Sequence, residues 1–309
     1  MKKIVILMST YNGHRYLPEQ LESIINQSIR NNDDYELSLF VRDDGSSDDT
    51  MEILSGFSNR IVIEKYVGEN VGPARSFWEL VNRAPDSDYY AFCDQDDVWF
   101  EDKLKDAISH ISVEENVNEP MLYCSAVDWT DAELNPLPIY YTEEKKADFP
   151  HALLYSISPG CTYVFNRAAL KIAQKYDFKR GHIEIHDWLM YKIVAMTGFV
   201  YYDTKPGMHY RQHGGNAIGR KNDGFRGFIN RSKRFLFSDA GGRSATADSI
   251  MKFYGDELSN DSEEYYFLDL VANYKKSLKK RIKFLHEKRF RRKTSDTFFL
   301  KVLILFGKV

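Results

Sequence analysis

The sequence predicts an α/β fold, a mainly parallel sheet flanked by helices with a helical extension at the C-terminal end. Three observations predict it. Apolar, β-branched runs alternate with segments of helical spacing through the first half, which implies βαβ units. The chemistry-bearing residues fall just after the strand runs, where open α/β sheets bind ligands. Past about residue 222 the strands stop and basic, amphipathic helical sequence takes over.

Taken in order, residues 3–9 are apolar and predict the first strand. Residues 17–29 carry Leu17, Leu21, Ile24, Ile25 and Ile29 at helical spacing, with Pro18 in the first turn. Strands are expected over 37–42, 61–66 and 88–93. Helices are expected over 48–54, from Gly72-Pro73 to 82, and over 100–113. Residues 121–129 predict a strand and 133–148 a loop. Segment 152–165 contains the Pro159-Gly160-Cys161 turn. Helices over 167–176 and 186–196 precede strands over 199–203 and 208–212. The extension reads as amphipathic helices over 225–236 and 261–290, with a break at Gly241-Gly242. The expected division is a catalytic unit over 1–222 and a basic, membrane-proximal extension over 223–309.

Bulk composition narrows the class. The 309 residues are 43% hydrophobic and 28% charged, which is ordinary for a folded, water-soluble domain. Three scattered cysteines, Cys93, Cys124 and Cys161, read as reduced core residues and exclude a disulfide framework. Lys2-Lys3 resembles a charged leader, but residues 4–8 are too short an apolar stretch for a signal peptide. Residues 275–309 hold 13 Lys/Arg against Glu287 and Asp296, a balance of +11; in a chain of net −3 the rest carries −14. A basic tail on an acidic body points to an anionic surface. Residues 297–306 are apolar around Lys301, long enough to lie on a bilayer but not to cross it. Nucleic acid is disfavoured as a partner, because the body is acidic and no recognition motif appears.

The sharpest signal is Asp94-Gln95-Asp96-Asp97 after the apolar run 89–93. Carboxylates at the end of a buried strand lose several kcal/mol on desolvation unless something positive joins them. A hard divalent cation that also takes phosphate oxygens meets the need, so the residues point to an enzyme handling a metal-bound diphosphate. The bland alternative is a solvated cap for the next helix, which suits Asp97 better than the set. Asp43-Asp44-Gly45-Ser46 ends the second strand. It reads either as a grip on a nucleotide or as an Asp-Gly turn with Asp48 capping a helix.

Four ordered segments, Ser-Thr-Tyr-Asn at 9–12, Asp-Asp-Gly-Ser-Ser-Asp at 43–48, Asn-Val-Gly-Pro-Ala-Arg at 70–75 and Cys-Asp-Gln-Asp-Asp-Val-Trp at 93–99, closely resemble the family 2 glycosyltransferases of GT-A fold. His-Asp-Trp-Leu at 186–189 and Tyr-Arg-Gln-His-Gly-Gly-Asn at 210–216 resemble its bacterial rhamnosyltransferase-like branch. The resemblance covers residues 3–217. It implies a Rossmann-like GT-A core and an inverting transferase. Asp96 and His213 would hold Mn²⁺ or Mg²⁺, and Asp94 would reach the ribose or a metal-bound water. Thr10, Tyr11, Asp43, Asp44, Arg75 and Arg211 would bind the donor, and Asp187 would be the general base. Trp99, Gly160, His186 and Trp188 are candidates for contacting acceptor or sugar. Each has a plainer reading: Arg75 as a surface arginine, Asp187 as a helix cap, the tryptophans as core and His213 as structural.

The expected reaction moves L-rhamnose from dTDP-rhamnose to a hydroxyl of a lipid-linked cell-surface polysaccharide precursor. The setting would be cytoplasmic, peripheral on the inner face of the membrane. Alternatives are a UDP-hexose donor in the same family, or a non-catalytic partner that binds sugar nucleotide or glycan. A nucleotidyltransferase would need a Gly-rich, basic loop after the first strand, and residues 9–14 have one glycine and no lysine. A dinucleotide oxidoreductase would need Gly-x-Gly-x-x-Gly there, which is absent.

Overall fold

The computed structural model describes residues 1–112, 118–138, 147–214, 242–290 and 294–309. The first half alternates as expected: β1 (Lys2–Thr10), α1 (Leu17–Ile25), β2 (Tyr35–Asp43), α2 (Thr50–Phe57), β3 (Val62–Val67), α3 (Pro73–Arg83) and β4 (Tyr89–Cys93). Then come β5 (Val98–Trp99), α4 (Lys103–Ile111), β6 (Met121–Ser125), β7 (Asp128–Thr130), α5 (Phe149–Leu154), β8 (Val164–Asn166) and α6 (Arg167–Ala173). The chain continues through α7 (His186–Thr197), β9 (Phe199–Asp203), β10 (Met208–Arg211), α8 (Gly242–Tyr254), α9 (Glu263–Asn273), α10 (Leu278–His286) and α11 (Thr294–Leu305).

Seven strands form one sheet in the order β3-β2-β1-β4-β8-β6-β9. Strand β1 pairs parallel with β2 on one side and β4 on the other, so the chain leaves β1 in one direction and later returns to its opposite edge. That switch point is where such sheets open a ligand crevice. Strand β8 runs antiparallel between β4 and β6; the other described pairings of this sheet are parallel. A smaller sheet, β5-β10-β7, lies beside it.

Period-two patterning places the core on both faces. Val5, Leu7, Tyr90 and Phe92 join one apolar cluster; Ile4, Ile6, Met8, Tyr89, Ala91 and Cys93 join the other. All five residues of β4 are buried. Each large side chain so placed contributes about 1.5–3 kcal/mol, which makes β4 a rigid base for the acidic loop that follows it.

The structure departs from the sequence expectations at several places. The strand expected over 121–129 is two strands in two sheets: the β6–β9 ladder ends with the Ala126 N–H on the Asp203 carbonyl at 2.8 Å, and Asp128–Thr130 pairs instead with β10. Helix α5 begins just after the expected 133–148 loop and runs into the segment expected over 152–165. It is started by Asp148, whose carboxylate accepts from the His151 N–H at 3.1 Å. Helix α1 stops at Ile25, short of residue 29, and Gln27 turns inward to donate to the Phe100 carbonyl at 2.8 Å. The helix expected over 225–236 and the 222/223 boundary lie outside the described residues. Helices α8 to α11 bury Ala247, Ile250, Tyr254, Phe267, Phe284 and Leu303 in the same cluster as α3, α5 and α7. All three cysteines are free and buried. Among the described residues no helix is long and apolar enough to cross a membrane.

Candidate active site

The loops at the carboxyl ends of β1, β2 and β4 are knitted together by their own side chains. Gln95 exchanges two hydrogen bonds with the backbone of Tyr11, at 2.9 and 3.0 Å. Gly13 permits this approach, since a Cβ there would sit 2.5 Å from Gln95 Oε1. Asn12, at φ 48°, accepts from the Ser47 N–H at 2.9 Å and so joins the first loop to the second.

Asp43 and Asp44 build this wall. Asp43 accepts from Thr10 Oγ1 at 2.9 Å, Ser46 Oγ at 2.5 Å and the Ser46 and Gly45 N–H groups at 2.8 and 3.2 Å. Asp44 pairs with buried Arg42 and accepts from the Val71 and Gly72 N–H groups, both at 2.9 Å. Asp44 therefore shapes the entry to α3. Thr10 is buried beneath Asp43, whereas Tyr11 and Arg75 are exposed.

The β4 loop delivers the acids. Asp96 Oδ2 lies 2.7 Å from His213 Nε2, and the His213 ring packs on Tyr16 at 4.7 Å. Burial, helped by the charges of Asp96 and Asp187, pushes the Asp94 carboxyl up to about 7. Asp97 is fully buried and accepts from the Arg211 N–H at 3.0 Å. Its carboxylate, that of Asp94 and the Cys161 thiol all lie within 4.8 Å of one another. This inner trio is close enough in space to share one cation, and burial holds both Asp97 and the Cys161 thiol well above their usual ranges. Asp96 and His213, both partly buried, add a carboxylate and an imidazole beside it, donor types that a divalent ion takes.

Arg211 does not reach for a phosphate. Its Nε donates to the Asp96 carbonyl at 2.8 Å, Nη1 to the Ala132 carbonyl at 2.6 Å, and Nη2 pairs with Glu19. With its guanidinium also 4.6 Å from the Tyr16 ring and 3% exposed, it is a latch that fixes the acidic loop. Trp99 is likewise core, 3% exposed, with the Lys103 ammonium 3.8 Å from its ring centre; no face is open to a sugar. Trp188 donates to the Ala152 carbonyl at 3.0 Å and is covered by Lys192 and Arg243, so it too is not a stacking platform.

Asp187 opens α7 beside this cluster. Burial pushes its carboxyl up to about 6, while the Trp188 N–H, at 2.6 Å, and the Gly160 backbone hold the charged form. Gly160 packs directly on Asp187: a Cβ there would lie 2.5 Å from Asp187 Cβ. His186 is buried and stacks on Phe77 at 4.0 Å; burial pushes its imidazole down to about 3, so it is neutral. Sequence reading missed Arg42, Lys103 and Lys192. Each looks like a surface cation in the sequence, and only burial reveals otherwise. A groove of about 830 Å³ lies elsewhere, near Lys2, Asp88 and Lys171, away from these acids.

The geometry thus gathers an acid–imidazole pair, a wall of hydrogen-bonded loops and a desolvated carboxylate near the carboxyl ends of β1, β2 and β4. The glycosyl transferase family 2 profile matches residues 5–171. The chain is 32% identical to the dTDP-rhamnosyl transferase RfbG of Shigella flexneri over 224 residues, 69% of this chain and 73% of that protein. It is 33% identical to the minor teichoic acid biosynthesis protein GgaA of Bacillus subtilis over 146 residues, 46% of this chain and 28% of that protein. In fold it resembles the crystal structure of Staphylococcus aureus TarS 1-349 in complex with UDP-GlcNAc: TM-score 0.55, 15% identity, covering 98% of this chain and 90% of that one. It also resembles the mannosyltransferase PcManGT of Pyrobaculum calidifontis in complex with GDP-Man and Mn²⁺: TM-score 0.53, 15% identity, 98% and 86% covered. The chain has the GT-A fold and belongs to glycosyl transferase family 2, as a rhamnosyltransferase-like glycosyltransferase.

Proposed function

We propose that this enzyme is an inverting, divalent-metal-dependent transferase. It moves L-rhamnose from dTDP-rhamnose to a hydroxyl of a lipid-linked cell-surface polysaccharide precursor. The observation that carries the mechanism is that Asp187 packs on Gly160, the neighbour in the chain of Cys161, whose thiol lies within 4.8 Å of the Asp94 carboxylate. The donor follows from the likeness to a dTDP-rhamnosyl transferase.

The acceptor hydroxyl gives its proton to Asp187 as its oxygen bonds the anomeric carbon. The bond from that carbon to the diphosphate oxygen breaks on the opposite face, so the anomeric configuration inverts. A carboxylate raised to about 6 is ionised at neutral pH yet basic enough to take the proton. Asp96 and His213 would hold Mn²⁺ or Mg²⁺, with Asp94 at the ribose or a metal-bound water. When bound, the ion neutralises charge growing on the leaving diphosphate. Tyr11 and Arg75 flank the nucleotide, and Asp43 exchanges the Ser46 hydroxyl for the pyrimidine N3–H. His186, neutral and stacked on Phe77, shapes the pocket behind Asp187.

The division into a catalytic unit over 1–222 and a membrane-facing extension over 223–309 belongs to the same proposal. Leu278 and Ile282 on α10 and Phe298, Leu305 and Phe306 at the end of the chain are exposed among lysines. Such a face suits docking on anionic lipid at the cytoplasmic side, where each basic residue contributes roughly 1 kcal/mol. The test is a thermal-shift and transfer panel of dTDP- and UDP-sugars with and without Mn²⁺. The reading expects the largest shift and transfer with dTDP-rhamnose plus metal; a UDP-hexose giving both instead would replace the donor.

A further inference from the structure

Lys103 is the first residue of α4 and is 2% exposed. Its ammonium donates to the Cys161 carbonyl at 2.9 Å and lies 3.8 Å from the Trp99 ring centre. Three costs meet at this position. The charge is desolvated. It stands at the positive end of a helix. One carbonyl serves three N–H donors. Burial pushes the ammonium down to about 8, a fall opposed by its neighbours Cys161, Cys93, Asp97 and Asp94. The Cys161 carbonyl that Lys103 grips belongs to the residue whose thiol sits within 4.8 Å of the Asp94 and Asp97 carboxylates.

We propose that Lys103 is the internal counter-ion of the Asp94–Asp97 loop and sets how tightly the site takes a divalent cation. The inference rests on the metal reading above and concerns a residue that touches neither donor nor acceptor; Lys103 is a positioning residue. Its charge offsets part of the carboxylate repulsion in the empty loop. The same charge repels an incoming cation, so the ion is held less tightly than the acids alone would hold it and can leave with the product diphosphate.

The experiment is calorimetric titration of the full-length chain with MnCl₂ at pH 7, for wild type, Lys103→Met and Asp96→Asn, paired with thermal melts with and without Mn²⁺. Removing one positive charge near a divalent ion is expected to tighten the Mn²⁺ Kd about tenfold. It is also expected to lower the metal-free Tm and enlarge the Mn²⁺-induced rise in Tm. Asp96→Asn is expected to abolish the titration. A Lys103→Met chain that binds Mn²⁺ within twofold of wild type, or more weakly, overturns the role of Lys103 while leaving the metal reading standing. No saturable Mn²⁺ binding by wild type removes the metal reading and this inference with it. Should Lys103→Met fail to fold, Lys103→Met/Asp97→Asn removes one charge of each sign. Recovery of a cooperative melt supports the counter-ion role, and no recovery overturns it.

Discussion

At the scale of single residues, the account turns on Asp187. Its carboxyl is raised to about 6, chiefly by burial, so it is protonated below that pH and ionised above. The rate of transfer at saturating substrate should therefore fall about tenfold per pH unit below 6, while donor affinity read by calorimetry moves far less. The same shift means the folded state holds this proton more tightly than the unfolded chain. The contribution of Asp187 to stability is accordingly lost, not gained, as pH rises from the ordinary 3.8 through about 6. Gly160→Ala tests the packing against Asp187. Its new Cβ would meet Asp187, so kcat is expected to drop at least tenfold with the donor Kd within about twofold of wild type. Asp94, Asp96 and Asp187 were legible as candidates because carboxylates after an apolar strand, or opening a helix, need a reason. The tasks of Arg211 and Trp99 were not legible. Whether an arginine points to a phosphate or to backbone carbonyls depends on partners 79 and 115 residues away along the chain.

At the scale of elements, β10 and its latch determine how firmly the acidic loop is held. Arg211 ties Asp96, Asp97, Ala132 and Glu19 together from a strand in the small sheet. Arg211→Ala leaves those carbonyls without partners and is expected to cost about 2–4 kcal/mol in urea unfolding. It should also weaken Mn²⁺ binding more than tenfold, since the loop loses its anchor. The small sheet is also where sequence reading was weakest. Strands β5 and β7 have two and three residues, too short for a period to register. Strands β1, β2 and β4 were legible because both faces are buried and their apolar runs are nearly continuous. Helix α5 was missed because the preceding sequence lacks periodicity, although the capping Asp148 was available as a signal.

At the scale of the whole molecule, charge asymmetry and shared packing matter together. Residues 275–309 carry a balance of +11 and expose apolar side chains, yet the buried side of α8 to α11 joins the same core cluster as α3, α5 and α7. Docking through the extension would therefore orient the active site relative to a membrane rather than trail it on a tether. Co-sedimentation with vesicles containing anionic lipid should show salt-sensitive binding, and Leu278→Glu/Ile282→Glu should reduce it at least tenfold while transfer to a soluble acceptor is unchanged. Equal binding to neutral and anionic vesicles would contradict the electrostatic part of this picture. The most direct test of the central claim compares wild type with Asp187→Asn, supplied with dTDP-rhamnose, Mn²⁺ and a lipid-linked acceptor fraction. The account expects transfer with inverted anomeric configuration in wild type. For Asp187→Asn it expects a loss of about 10²–10⁴-fold in kcat with the donor Kd and the melt preserved. An Asp187→Asn enzyme that is folded, binds donor and transfers at the wild-type rate would contradict it.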